Sequence, residues 1–477
     1  MILKAREIAS AVGGMVISGD PETVIKNITT DSRKIKGSDL FIPIIGERAD
    51  GHSFVAKTLE AGAAASFTAY DMDKLNELNK GAVLIRVEDT KKALQDLGAY
   101  YRENYVKIPY IGVTGSVGKT TVREMIAAAL SAGFKVYSTK GNANSQTGVP
   151  ITVTETDPDA EIGVIEMGIS EFGEMSRISR VVKCDMAVFT VIGVSHIGNL
   201  GSQDNIMREK LKICEGMKKD GVLLLNGDDE LLSREDLYDF IPAAAVENGL
   251  KVYYYGTGEK SFVRAADIKE NNGYAEYDLY IDGQKITHAE LTVPGMHMLL
   301  NSLAAIAAAY FNGVDPEAAV KALKAFSSLD GRGRITEKNG ITVINDAYNA
   351  APQSMMAGLK VLDGLKNSGR KIAVLADMLE LGPDEASYHR EVGTYIATAT
   401  KSISTVLLYG KLSSHIAEGI QAALDKHDGK EITVLHFDSL EALKQKIAED
   451  VKPGDAILFK GSNSMKLGGL VTELFGD

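Results

Sequence analysis

One stretch limits what this chain can fold into more than any other. Residues 108–132 read IPYIGV, then TGSVGKTT, then VREMIAAALSA. An apolar run of strand type ends in a glycine-rich turn, and apolar residues at i, i+3, i+4 spacing follow, which predicts strand, loop and helix in succession. In that setting the turn is a phosphate-binding loop. It comprises Thr114, Gly115, Ser116, Val117, Gly118, Lys119, Thr120 and Thr121, with Val113 where the strict pattern has its leading glycine. Gly115 and Gly118 let the backbone curl so that successive N–H groups converge on phosphate oxygens. Lys119 brings positive charge to the β- and γ-phosphates, and the Thr120 hydroxyl suits Mg²⁺. The chain therefore contains an α/β sheet and binds a nucleoside triphosphate.

The 477 residues exceed one compact core, so about two to four domains are expected. A net charge of −12 argues against a nucleic-acid partner. No run approaches the roughly 18 apolar residues of a membrane span. The opening MILKAREIASAV meets Glu7 too early for a secretory signal. Cys184 and Cys214, with no metal-ligand spacing, fit a reducing compartment. The expectation is a soluble, cytoplasmic, multidomain protein.

Residues 1–88 read as mixed α/β. Here Thr30-Asp31-Ser32-Arg33 and Asp50-Gly51-His52-Ser53-Phe54 cluster at two ends of a short apolar strand. That cluster is either turn chemistry or a grip on a polar ligand. A helix over 89–101 leads into the loop strand. In 89–329, candidate strands at 135–138, 162–167, 186–191 and 222–225 alternate with helices, which predicts a mostly parallel sheet covered on both faces. Segments 274–281 and 284–291 about Asp282-Gly283 read as a hairpin forming a smaller antiparallel annex. From 330 to 477 the alternation restarts as a doubly wound domain without a G-x-G-x-x-G fingerprint.

Ligands of α/β sheets gather at the carboxyl ends of strands. Glu166 ends such a strand, and a carboxylate there suits Mg²⁺. His196 lies just past the strand ending near Val191, and beside a P-loop it reads as a ligand rather than a structural group. Lys210, flanked by Arg208 and Lys212 on a predicted helix, reads by pattern as a solvated charge. Asn226-Gly227-Asp228-Asp229 is either a turn or a nucleotide contact. Asn345-Asp346-Ala347-Tyr348-Asn349 follows the first strand of the last domain, with more polar groups than a turn requires. Arg332 and Arg334, in a glycine-rich hinge, suit phosphate when domains close.

Together these motifs resemble the Mur ligase family, ATP-dependent amide-forming enzymes of peptidoglycan precursor synthesis. The resemblance runs along the whole chain and implies three α/β domains. These are a UDP-sugar-binding domain at 1–88, a central ATP-binding domain at 89–329 and a Rossmann-like domain at 330–477 that holds the incoming dipeptide. The family's loop also lacks the leading glycine. The resemblance implies Mg²⁺ at Thr120, Glu166 and His196, in two sites, and a carbamylated lysine at Lys210 as a further metal ligand. It implies adenine-side contacts from His297 and Asn301, with Asp346 and Tyr348 also at the nucleotide, and catalytic roles for Lys119 and for Arg332 or Arg334. Ser32, Arg33, Asp50, Gly51 and His52 match the UDP-sugar site. Asn142, Asn144, Thr147, Asn349, Asp377 and Leu379 match further substrate-binding positions, the last two where the incoming dipeptide is held. Gly141-Asn142-Ala143-Asn144 and Asp346-Ala347-Tyr348-Asn349-Ala350 are similar to the member that joins D-Ala-D-Ala to UDP-MurNAc-tripeptide, and imply those partners and a monomer. The chain departs from the family at Val191, at Ala351, at Lys212 and in the Lys460 to Lys466 segment, which lacks the usual arginine and closing glutamate. Alternatives are a related amide ligase with another acceptor, such as a folylpolyglutamate-type enzyme, and a P-loop NTPase switch.

Overall fold

The computed structural model describes residues 1–46, 49–70, 82–271, 273–426 and 431–476. Its centre is a nine-stranded sheet. From one edge the order is Val136–Ser138, Ile162–Glu166, Tyr110–Thr114, Met186–Phe189, Val222–Asn226, Lys251–Gly256 and Val263–Asn271, all parallel to their neighbours. The antiparallel pair Tyr274–Ile281 and Gln284–Pro294 completes it. The hairpin is therefore no separate annex: Val263–Asn271, parallel to one neighbour and antiparallel to the other, joins it to the main sheet. Val and Ile fill the strands on both faces, as burial between two helical layers demands. On one face the sheet packs with helices Lys119–Leu130 and His297–Phe311. The alanines of the second helix let it lie close against the first.

A five-stranded sheet precedes this one, ordered Met15–Ser18, Val83–Arg86, Ala65–Thr68, Asp39–Phe41, Asn27–Thr29, with only the first pair antiparallel. Helix Thr90–Asn104, capped by the Asp89 carboxylate, links it to the centre. The last sheet has six strands, ordered Arg334–Lys338, Ile341–Asn345, Ala456–Lys460, Lys371–Ala376, Ile403–Tyr409, Thr433–Phe437. All its pairings are parallel except the first. Among the described residues no helix is long and apolar enough to cross a membrane.

Candidate active site

Tyr110–Thr114 lies between Ile162–Glu166 and Met186–Phe189, so the loop, Glu166 and the segment after Phe189 emerge at one sheet edge. Gly115 has φ +144°, and a Cβ there would fall 1.9 Å from Thr190 Oγ1. Only glycine permits that approach. Gly118, φ +85°, opens helix Lys119–Leu130. The far side is stapled: Ser116 N donates to Val191 O at 2.7 Å, and Thr190 Oγ1 donates to Val117 O at 2.6 Å. Lys119 Nζ folds back onto Gly115 O at 2.8 Å and Ser116 O at 3.3 Å. Desolvation lowers its pKa, Glu166 opposes that, and the Arg332 charge adds to it.

Glu166 is the hub. Its carboxylate is 1% exposed and accepts from Arg123 Nη1 at 3.0 Å, Asn144 Nδ2 at 2.7 Å and Thr120 Oγ1 at 3.3 Å. Arg332 Nη2 donates to the same Thr120 hydroxyl at 3.1 Å, and its guanidinium lies 4.0 Å over the Tyr348 ring. Gly331 and Gly333, at φ +72° and +69°, turn the hinge on both sides of it. Burial lowers the Arg332 pKa and Glu166 opposes the shift. Of the two hinge arginines, then, Arg332 reaches the loop, while Arg334 starts a strand on an exposed position. Asp346 is ion-paired with Lys460 Nζ at 2.5 Å. Asn301 Oδ1 lies beside Gly118. His297 opens its helix with its ring against Gly295.

Lys210 is not a solvated charge. It sits on helix Gln203–Leu211, N-capped by Ser202, and is 2% exposed. Among the described residues no hydrogen bond or ion pair holds its ammonium. Burial pushes its pKa well below the usual lysine range, and the Lys119 charge pushes the same way. The helix pattern could not separate a buried lysine from its neighbour Lys212, which pairs with Glu209 at 2.6 Å. His196, φ +62°, places Nδ1 2.7 Å from Glu380 Oε2 of the last domain. The Glu380 carboxyl is held below its usual range, chiefly by hydrogen bonding from His196.

At the N-terminal end, Ser32, Arg33, Gly51, Phe41 and Phe54 line a cavity of about 370 Å³. Arg33 forks onto Asp31 at 2.8 and 2.9 Å, and this bonding holds the Asp31 carboxyl at about 2. His52 is turned inward. Its Nδ1 meets Asp50 Oδ1 at 2.7 Å and its Nε2 accepts from Ala69 N at 3.1 Å, so both nitrogens are already engaged. Burial raises the Asp50 carboxyl, but bonds from Tyr70 and His52 outweigh it and hold it at about 2. In the segment after Val136–Ser138, Asn142 Oδ1 accepts from Asn144 at 3.0 Å, and the Thr147 hydroxyl lies 3.1 Å from Ser145 Oγ. Asn349 is exposed, with Oδ1 taking the Ala350 N–H at 2.9 Å. Asp377 is buried and accepts from Ser413 N at 2.7 Å. Leu379 is exposed, and its N–H donates to Ser462 Oγ at 3.0 Å. Arg123, Thr190, Glu380 and Lys460 escaped the sequence reading as site residues. Arg123 alone carried a signal, lying one helical turn from Lys119 and Thr120.

Three matched segments cover most of the chain: the Mur ligase family catalytic domain at residues 24–102, the Mur ligase middle domain at 113–309 and the Mur ligase glutamate ligase domain at 331–463. A Bacillus subtilis UDP-N-acetylmuramoyl-tripeptide–D-alanyl-D-alanine ligase is 40% identical over 472 residues, 98% of this chain and 97% of the relative. The chain belongs to the Mur ligase family. Within that family, a crystal structure of MurF from Acinetobacter baumannii superposes with TM-score 0.85 at 28% identity, covering 99% of both chains. MurF from Thermotoga maritima, solved in complex with ADP, gives 0.77 at 25% identity, covering 94% of this chain and 97% of that one. The Mur ligase architecture of three α/β units is thus shared from end to end.

Proposed function

We propose that this Mur ligase joins D-Ala-D-Ala to UDP-MurNAc-tripeptide at the expense of ATP, through an acyl phosphate, in the cytoplasm and as a monomer. The observation that carries the reading is Arg332, which crosses from the last domain to the Thr120 hydroxyl of the P-loop. An NTPase switch would hydrolyse the nucleotide alone and has no need of a third, Rossmann-like domain or of the cavity beside Ser32 and Arg33.

Joining a carboxylate to an amine in water is uphill. Phosphorylation by ATP gives the carboxylate a leaving group, and the dipeptide amine then displaces phosphate to form the amide. Both partners of the first step are anions, so charge neutralisation dominates the demand on the protein. The loop N–H groups and Lys119 bind the β- and γ-phosphates, and Arg332 brings a second cation as the domains meet. Thr120 Oγ1 and Glu166 Oε1, hard oxygens 3.3 Å apart, lie near the ~3 Å ligand spacing of an octahedron with bonds of about 2.1 Å. They fit Mg²⁺. His196 and a carbamylated Lys210 would hold a second ion, and Mg²⁺ there would supply further positive charge for the reacting anions. Carbamylation needs a neutral amine, and a buried, partnerless Lys210 displaced toward that form meets the condition. The cavity beside Ser32 and Arg33 takes the UDP-sugar, the loop 142–147 the peptide, and the Asp377–Leu379 turn the dipeptide.

Purified protein is expected to release phosphate from ATP only with UDP-MurNAc-tripeptide and D-Ala-D-Ala both present, with the dipeptide mass added to the product. Equal phosphate release without the dipeptide overturns the reading.

A further inference from the structure

The turn that carries His196 belongs to the central domain, where Ser195 Oγ donates to Ser116 O and Asn199 Nδ2 to Ser170 O, and it also reaches into the last one. Val194 is buried in the apolar core built by Met378, Leu381 and Met355, and Ile197 packs against the same core. Gly198 meets Gly382 backbone to backbone. A Cβ on Gly382 would stand 2.7 Å from Gly198 Cα, and one on Gly198 would stand 3.0 Å from Gly382 Cα. Any side chain at either position would force the turns apart. Between these anchors, His196 and Glu380 face each other at 2.7 Å. Both are non-glycine residues in the left-handed region, at φ +62° and +66°. Such conformations persist only where the surroundings over-determine them.

The Glu380 side of the contact is braced independently. Asp377 is tied to Ser413 N, and the Leu379 N–H to Ser462 Oγ. Glu380 thus stands on a loop fixed within its own domain and meets a turn held by both domains. His196 Nδ1 is shielded from solvent, and among the described residues no partner meets it in good hydrogen-bond geometry; Glu380 Oε2, 2.7 Å away, is the carboxylate oxygen beside it.

We propose that Glu380 is a positioning residue for His196 and acts across the domain boundary. Docking of the last domain fixes the imidazole with Nδ1–H toward the carboxylate and leaves Nε2 as the lone pair available to a divalent cation. Carboxylate partners of this kind set the tautomer and ring orientation of metal-binding histidines. The domain that receives the dipeptide would thereby complete the cation site of the domain that binds ATP. The inference rests on reading His196 as a cation ligand, and its test separates the two.

The full-length protein, ¹⁵N-labelled at histidine, is studied by NMR at about pH 8, where an ordinary imidazole is neutral. His196 is expected as the Nδ1–H tautomer, and Glu380→Ala moves it toward Nε2–H. Mn²⁺ binding followed by EPR in the presence of ADP should weaken about tenfold to a hundredfold in Glu380→Ala. Glu380→Gln, which keeps an oxygen acceptor, should recover part of the loss. A purely structural role predicts lower stability with tautomer and Mn²⁺ affinity unchanged, and that result overturns the proposal. If His196→Ala weakens Mn²⁺ binding while Glu380→Ala does not, the positioning role alone fails. If His196→Ala binds Mn²⁺ as the wild type does, the ligand reading fails and the proposal with it.

Discussion

Replacing Arg123 with methionine keeps the bulk of the side chain and removes the cation beside Glu166. The two side chains are 3% and 1% exposed and meet at 3.0 Å. Removing one partner of a buried pair typically costs about 3–5 kcal/mol, because the other charge is left uncompensated. Glu166 keeps the bonds from Asn144 and Thr120, which places the expected loss near the low end, about 3 kcal/mol. The second partner of Arg123, Glu124, is partly solvated and adds little. A three-domain chain need not unfold in one step, so a single midpoint would blur the effect. Hydrogen exchange of the strand Ile162–Glu166 isolates it: a loss of about 3 kcal/mol speeds exchange roughly a hundredfold where reclosing outpaces chemical exchange. The double variant Arg123→Met/Glu166→Gln should recover about 2 kcal/mol of the loss, since it removes the stranded charge. Mg²⁺ with ADP should narrow the deficit of the single variant. Exchange faster by less than about fivefold, or strictly additive variants, would refute the claim that this ion pair holds the carboxylate.

Lys210→Ala should lower kcat by about a hundredfold or more, with partial return on adding short carboxylates; an unaffected variant removes the carbamate. Arg332→Ala should reduce kcat/KM for ATP by about a hundredfold, whereas Arg334→Ala stays within about twofold, as steady-state phosphate release will tell. Gly115→Ala sets a methyl against Thr190 and should weaken ADP binding by at least about tenfold in calorimetry, provided circular dichroism shows the fold intact. Asp50 is held at about 2 when folded, below its value of about 3.9 in an unfolded chain. Its contribution is therefore present above about pH 4 and lost as pH falls toward about 2. Asp50→Asn should flatten that acid limb in the N-terminal domain, followed by exchange in Ala65–Thr68.

Periodicity and strand ends made most of the architecture legible, because a strand buried on both faces must be continuously apolar and a P-loop must join strand to helix. Glu166 was legible for the same reason: a strand's last residue points to the ligand edge. Charge orientation was not. Lys210 and Lys212 are two residues apart at the end of one predicted helix, so pattern sees two cations while the fold buries one and leaves the other half-exposed beside Glu209. Arg332 and Arg334 differ by the rotation that flanking left-handed glycines impose, which spacing does not encode. The Arg123–Glu166 and His196–Glu380 contacts join residues 43 and 184 positions apart, and no local rule pairs them. The hairpin was legible as a hairpin, but its attachment depends on Val263–Asn271, whose alternation blends into a charged stretch.

The strand Ala456–Lys460 lies in the middle of the last sheet, between Ile341–Asn345 and Lys371–Ala376. A chain emerging from the ribosome must therefore hold this sheet with an open slot until the strand that follows all its others in sequence arrives. The same strand delivers Lys460 to Asp346. The central sheet can consolidate earlier in synthesis, whereas the last sheet forms only once that strand is inserted. A chain lacking Ala456–Lys460 would keep its central sheet and leave two unpaired strand edges in the last one, a product for quality control to recognise.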